Sequence, residues 1–158
     1  MRYPVLLSLL LLAGCAQTDT MRVSKNEAII STSAAPICGG SGAAKVAQQM
    51  AAIETIRSGY DRYVIVAANS SNSVHTTQMP GTYNTMGSAS SYGNFTSYNA
   101  TTTYTPGPTV VSGSHDQRIA VRMFKEGESG SESALSAREI LGPKWPSLVK
   151  HGVATCAG

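Results

Sequence analysis

The residues of this chain best equipped for chemistry are its three cysteines, Cys15, Cys38 and Cys156. A thiol can accept an acyl or alkyl group, be oxidised to a disulfide, or ligate a metal, and these three differ in setting. Cys15 closes an apolar N-terminal run, whereas Cys38 and Cys156 stand near opposite ends of the remaining chain. With Cys15 set aside, an even pair remains, and an even pair in an oxidising compartment reads as a disulfide. Closing a loop of roughly 100 residues contributes about 4 to 5 kcal/mol in the chain-entropy model. Two competing readings are weaker. Unpaired thiols need reducing surroundings, and two cysteines without a clustered histidine supply too few ligands for a metal.

Other candidates carry less. His75, His115 and His151 are far apart in sequence. His75 and His115 would approach if the strands flanking them paired antiparallel, but two ligands fall short of a structural zinc site. No metal and no cofactor is expected. Residues 39–45, Gly-Gly-Ser-Gly-Ala-Ala-Lys, open a helix as a phosphate cradle would. No Gly-Lys-Ser/Thr triplet closes the motif, and a dinucleotide fingerprint lacks its last glycine. Close packing beside Cys38 is the better use of these glycines. Serines are plentiful, yet there is no Gly-x-Ser-x-Gly elbow and no acid–base set, so no catalytic residue is expected. Asp61 reads as a turn cap beside Gly59. Of Glu126, Glu128 and Glu132, the last suits a helix N-terminus and the others read as solvated surface.

Cys15 owes its interest to the segment before it. Met1, Arg2 and Tyr3 give one positive charge ahead of an apolar run over residues 5–12, interrupted by Ser8. That is a signal-peptide core, too short for a spanning helix of about 20 residues. Leu12-Ala13-Gly14-Cys15 resembles the lipobox of bacterial lipoproteins. The resemblance implies removal of residues 1–14 and attachment of lipid, palmitate included, to Cys15. The alternative is a plain secretory signal that happens to hold a cysteine. Each buried methylene contributes about 0.8 kcal/mol, so several acyl chains make a stable anchor where one would not. In such lipoproteins an aspartate directly after the cysteine favours the inner membrane; Ala16 stands there, so the resemblance implies lipid anchoring at the outer membrane. Residues 15–27 are then a polar, aperiodic tether.

Behind these residues must stand a fold. The chain has 158 residues and a formal net charge of +3, with lysine and arginine scattered rather than clustered, which excludes a nucleic-acid footprint. Residues 28–158 suffice for one domain with a real core. A first strand is expected over 28–37. Ala43, Val46, Ala47, Met50, Ile53 and Ile56 then fall at helical spacing, with Ser41 as N-cap and Gly59 as stop. The unbroken apolar run at 62–68 predicts a strand buried on both faces. In 117–125, Ile119, Val121 and Met123 alternate with Arg118, Ala120 and Arg122, which predicts a strand with one wetter face. A short helix is expected over 132–141, capped by Ser131 or Ser133 and stopped by Gly142-Pro143. Trp145, Leu148 and Val149 give the tail a helical stripe that packs back on the domain. The fold class is α+β: a small two-layer α/β sandwich with a long polar insertion between two strands.

That insertion, residues 69–115, is the least ordinary part of the chain. From residue 63 through 115 there is no Asp, Glu, Lys or Arg. Ser, Thr, Asn and Gly dominate, with Tyr83, Tyr92, Phe95, Tyr98 and Tyr104 spaced among them. It reads first as a flexible insertion, since low apolar content cannot offset chain entropy. The second reading extends the flanking strands into a long polar hairpin built on the strand preference of Thr and Tyr.

Residues 56–66, Ile-Arg-Ser-Gly-Tyr-Asp-Arg-Tyr-Val-Ile-Val, following an Ala-rich helix, and the later Ala137-Arg138-Glu139-Ile140-Leu141 resemble small, functionally uncharacterised proteobacterial lipoproteins. The resemblance implies no activity. The expected function is a non-enzymatic binding or accessory protein of an envelope assembly. Its contacts are the membrane, through Cys15, and an envelope protein partner, through the five aromatics, a composition suited to adaptable binding. The alternative is an enzyme acting on cell-wall or surface polymers.

Overall fold

The computed structural model describes residues 15–156; the expected signal peptide, residues 1–14, lies outside them. The chain is mixed α+β with antiparallel pairing throughout its named ladders, and it forms two compact units. One unit runs up to Ser73 and resumes at Gly113; the other is Val74–Ser112.

The first unit holds a five-stranded sheet. Its strands are β1 (Ala16–Arg22), β2 (Glu27–Ala34), β3 (Arg62–Asn72), β8 (His115–Phe124) and β9 (Leu135–Ser136). In space they run β1-β2-β8-β3-β9. The alternation of β8 works as expected: Ile119, Val121 and Met123 point to one face and are buried, joined by Ala28 and Ile30 of β2. Helix α1 (Gly39–Arg57) buries Ala47, Ala51, Ala52 and Ile53 in the same core. Alanines at i, i+4 let the helix axis approach the sheet closely, and each fully buried Ile or Val contributes about 1.5 to 3 kcal/mol. Two short helices, α2 (Ala137–Leu141) and α3 (Trp145–His151), complete the cover, with Leu141 buried and Trp145, Leu148 and Val149 packed against the core.

Polar atoms in this core are satisfied. Thr55 Oγ1 donates to the Ala51 carbonyl at 2.7 Å, and Tyr63 Oη donates to the Gln48 carbonyl at 3.2 Å. Burial pushes the Tyr63 phenol up to about 12. Glu54, buried in the last turn of α1, meets Arg22 of β1 at 2.6 Å.

Several expectations are corrected. Residues 15–27 are not an aperiodic tether: Ala16–Arg22 form β1, whose register with β2 runs from Ala16–Ala34 to Arg22–Ala28. Pairing rather than hydrophobic pattern makes this strand, since Thr18 and Thr32 hydroxyls meet across it at 3.1 Å. β3 is not buried on both faces. Of its residues only Tyr63 joins the core beneath α1; Ile65 and Val66 lie outside that core and are exposed. A register irregularity falls at Val66. α1 starts at Gly39, without a Ser41 cap, because the 3-10 turn Pro36–Cys38 runs straight into it. The helix expected at 132–141 is shorter because Leu135–Ser136 pair with β3; Ser136 then caps α2 by accepting from the Glu139 amide. Glu132 accepts instead from the Gly130 amide, and Glu126 pairs with Arg62 at 2.9 Å. Asp61, expected to cap the turn beside Gly59, instead accepts from the Glu126 amide after β8.

The second unit contains two ladders. β4 (His75–Gln78) pairs with β7 (Thr109–Ser112), and β5 (Thr82–Tyr92) pairs with β6 (Phe95–Thr105). The insertion is therefore built of strands, which favours the hairpin reading over the flexible one. Its backbone groups are paired across the ladders, while no residue of β5 or β6 is buried. Asn72–His115, His75–Ser112, Gln78–Thr109 and Thr82–Thr105 keep one offset, so neither arm gains a residue from one ladder to the next. A two-residue loop, Gly93-Asn94, joins β5 to β6, and Gly93 takes a φ of 59° as the first position of a type II′ turn demands.

Candidate functional site

Three places hold the residues singled out above. The first is the sheet edge at Cys15. Its side chain is exposed, while its carbonyl accepts from the Ala35 amide at 3.1 Å. The next residue, Ala16, donates to the Ala154 carbonyl at 2.9 Å, and Cys15 bridges Thr155. Beside it, Cys38 and Cys156 form a disulfide that closes a 118-residue separation with Cα atoms 5.6 Å apart. Gly42 makes room for it. A Cβ at Gly42 would lie 3.1 Å from the Cys38 Cβ and 3.2 Å from the Cys156 Cβ, so Gly42 serves packing beside Cys38, whereas a Cβ at Gly39 would meet nothing within 4 Å.

The second is the open face of the five-stranded sheet. Register places Gln17, Ser33, Asp116 and Ser71 in one row across β1, β2, β8 and β3, with Asp19, Ser31, Arg118 and Asn69 in the next. These rows line an open concavity of about 1040 Å³. Hydroxyls of Ser33 first, and then Ser114, hold the Asp116 carboxyl below the usual carboxylate range. Ser114 Oγ donates to its Oδ1 at 3.0 Å. Arg118 Nε donates to Ser31 Oγ at 3.3 Å. The arrangement can hydrogen-bond a polar ligand, but a carboxylate kept ionised is no proton donor. Sequence reading missed this face because part of it belongs to β1. The alternation of Asp116, Arg118 and Arg122 was the available signal.

The third is the β5–β6 hairpin. All residues of both strands are exposed. Alternation divides its aromatics into two groups: Tyr83, Tyr98 and Tyr104 share one face, while Tyr92 and Phe95 share the other, at the turn. Tyr83 and Tyr104 stand opposite each other with ring centroids 4.7 Å apart. Tyr98 reaches across to Gly87, where a Cβ would come within 2.6 Å of its Oη. Their exposures remain high, from 51% at Tyr104 to 92% at Tyr92, so each ring keeps a surface to offer. Thr85 and Thr102 hydroxyls meet at 2.9 Å on the Tyr98 face, and Ser91 and Thr96 at 3.0 Å.

Each histidine has a neighbour of its own. His75 faces Ser112, whose hydroxyl lies 3.0 Å from its Nε2; His115 faces Asn72; His151 Nδ1 lies 3.1 Å from the Ser147 carbonyl oxygen. Among the described residues no three of His, Cys, Asp and Glu gather as a metal-binding group. Among the same residues no helix is long and apolar enough to cross a membrane. The fold and these surfaces define a disulfide-closed α+β protein bearing a polar hairpin. Comparison with protein-family models, curated proteins and solved structures finds no match.

Proposed function

We propose that this chain is a lipid-anchored protein of the bacterial cell envelope, processed before Cys15 and held at the outer membrane, with a non-catalytic binding role carried by residues 74–112. In this reading the sheet and its helices form a two-layer sandwich that carries the hairpin, and the resemblance to small proteobacterial lipoproteins is one of common ancestry. The observation that carries the binding role is the complete exposure of β5 and β6, five aromatic rings included. Exposed aromatic surface beyond scattered single residues marks interaction sites. The exposed side chain of Cys15 suits the anchor, and with its backbone clamped, lipid there would hold the domain directly at the membrane rather than on a leash. The alternative, an enzyme acting on cell-wall or surface polymers, draws only on the sheet concavity, where the ionised Asp116 suits ligand contact better than proton donation.

One experiment with two arms tests this. Palmitate labelling in cells is expected to mark the wild type and not Cys15→Ser; equal label on both contradicts the anchor. In-cell crosslinking is expected to lose its adducts when residues 74–112 are replaced by a short turn between Ser73 and Ser114, which already share a hydrogen bond. Persistence of every adduct contradicts the hairpin's role.

A further inference from the structure

The β5–β6 hairpin presents a physical problem. Each of its strands is paired on one side only, and among the described residues no third strand joins them. Isolated two-stranded ribbons are marginal in water. Proteins protect such edges with lysine, proline or bulges, yet residues 82–105 hold no charge, no proline and no register shift. Edges left open in this way are templates for pairing with another chain.

Length and pattern indicate where. Both strands have eleven residues. At about 3.4 Å per residue and a tilt of about 45°, eleven residues rise roughly 26 Å, against a band of about 25 Å in transmembrane barrels. The two faces differ in kind. Thr85, Gly87, Ala89, Ala100 and Thr102 occupy the middle of one, without an amide or charged side chain; Asn84, Ser88, Ser90, Ser97 and Asn99 lie on the other, with Met86 among them. On the uncharged face Tyr83 and Tyr104 stand at the base and Tyr98 toward the turn, while Tyr92 and Phe95 stand at the turn on the other face. A face of small uncharged residues flanked by tyrosines, set against a face of amides and hydroxyls, suits a barrel strand with lipid outside and water within.

We infer that residues 82–105 insert into a bilayer as one hairpin of a closed β-barrel assembled from several copies of this chain. An open edge cannot persist in hydrocarbon, so each hairpin edge must pair with that of a neighbouring copy. The smallest such barrels have about eight strands, which sets a minimum of about four copies. Absence of charge over residues 63–115 removes both the cost of burying a charge in lipid and any repulsion between copies. The inference deepens the membrane-bound binding role proposed above by naming the partner, but insertion itself needs no lipid on Cys15.

The test uses the mature chain with Cys15→Ser, so that it reads insertion apart from acylation. Protein is added to phosphatidylethanolamine–phosphatidylglycerol vesicles holding a self-quenched dye, and SDS-resistant oligomers are scored in parallel. Dye release with oligomers of four or more copies is expected. Ala100→Arg, on the uncharged face, is expected to slow release roughly tenfold or more. Asn99→Arg, on the polar face one residue away, is expected to leave release intact. Retention of the Cys38–Cys156 gel shift shows that each variant is folded. No dye release, release without oligomers, oligomers without release, or equal effects of the two substitutions would each overturn the inference. Palmitate labelling of the wild type is read separately, so failure of the anchor and failure of insertion are distinguishable.

Discussion

The two compact units of this chain are built on opposite principles. The larger one buries Ile30, Val121, Met123 and Tyr63 completely and ties its last residues to the start of α1 with a disulfide. The smaller one has no buried residue along β5 and β6, and its ladders have two strands each, with no third strand joining them among the described residues. A unit with a core tolerates isolation, whereas one made of ladders alone depends on what it touches. Stability and function are therefore expected to separate, with substitutions in the first unit changing folding and those in the second changing assembly.

The sharpest way to break this contrast is the disulfide. Cys38→Ser with Cys156→Ser is expected to cost about 2 to 5 kcal/mol in denaturant unfolding. Ile30→Ala should follow at about 2 to 4 kcal/mol, as a large-to-small change at a site with no exposure. Tyr98→Ala, by comparison, should stay within about 0.5 kcal/mol as a surface change, and a loss like that of Ile30→Ala would show the hairpin to be part of the core.

Tyr63→Phe sharpens the picture inside the core and should cost about 1 kcal/mol through the lost bond to the Gln48 carbonyl. It has a pH signature as well. The folded phenol is raised to about 12 from an ordinary value near 10, so its contribution is whole below the unfolded value and fades as pH rises toward 12. The wild type should lose stability over that alkaline window and Tyr63→Phe should not. The smallest effect is on the acid side: Asp116, held below the carboxylate range, contributes above its unfolded value and loses that contribution as pH falls through the folded one. Asp116→Asn should flatten the acid limb of the stability curve.

Much of the first unit was legible in sequence because its signals are local. The spacing of Ala43, Val46, Ala47 and Ile53 marks α1, the alternation of Ile119, Val121 and Met123 marks β8, and setting Cys15 aside leaves the disulfide pair. What was not legible depends on partners far along the chain. Gln17–Arg22 carries no period and becomes a strand only through its register with β2. Val64, Ile65 and Val66 look like core, yet hydrophobicity does not say what will cover a strand, and here little does. Leu135 and Ser136 fit a helix until β3 offers an edge. In the hairpin the Gly93-Asn94 pair between Thr- and Tyr-rich runs was a readable turn signal. The division of its aromatics between two faces was not, because it follows from register.

Amide hydrogen exchange resolved by segment tests the contrast between the units most directly. In dilute aqueous solution, β8 and α1 are expected to exchange at the rate of global unfolding, while β5 and β6 exchange orders of magnitude faster. On addition of phospholipid vesicles the hairpin amides should become protected and those of β8 should not change. Protection of β5 and β6 already in the dilute protein, or its absence on vesicles, would contradict the account.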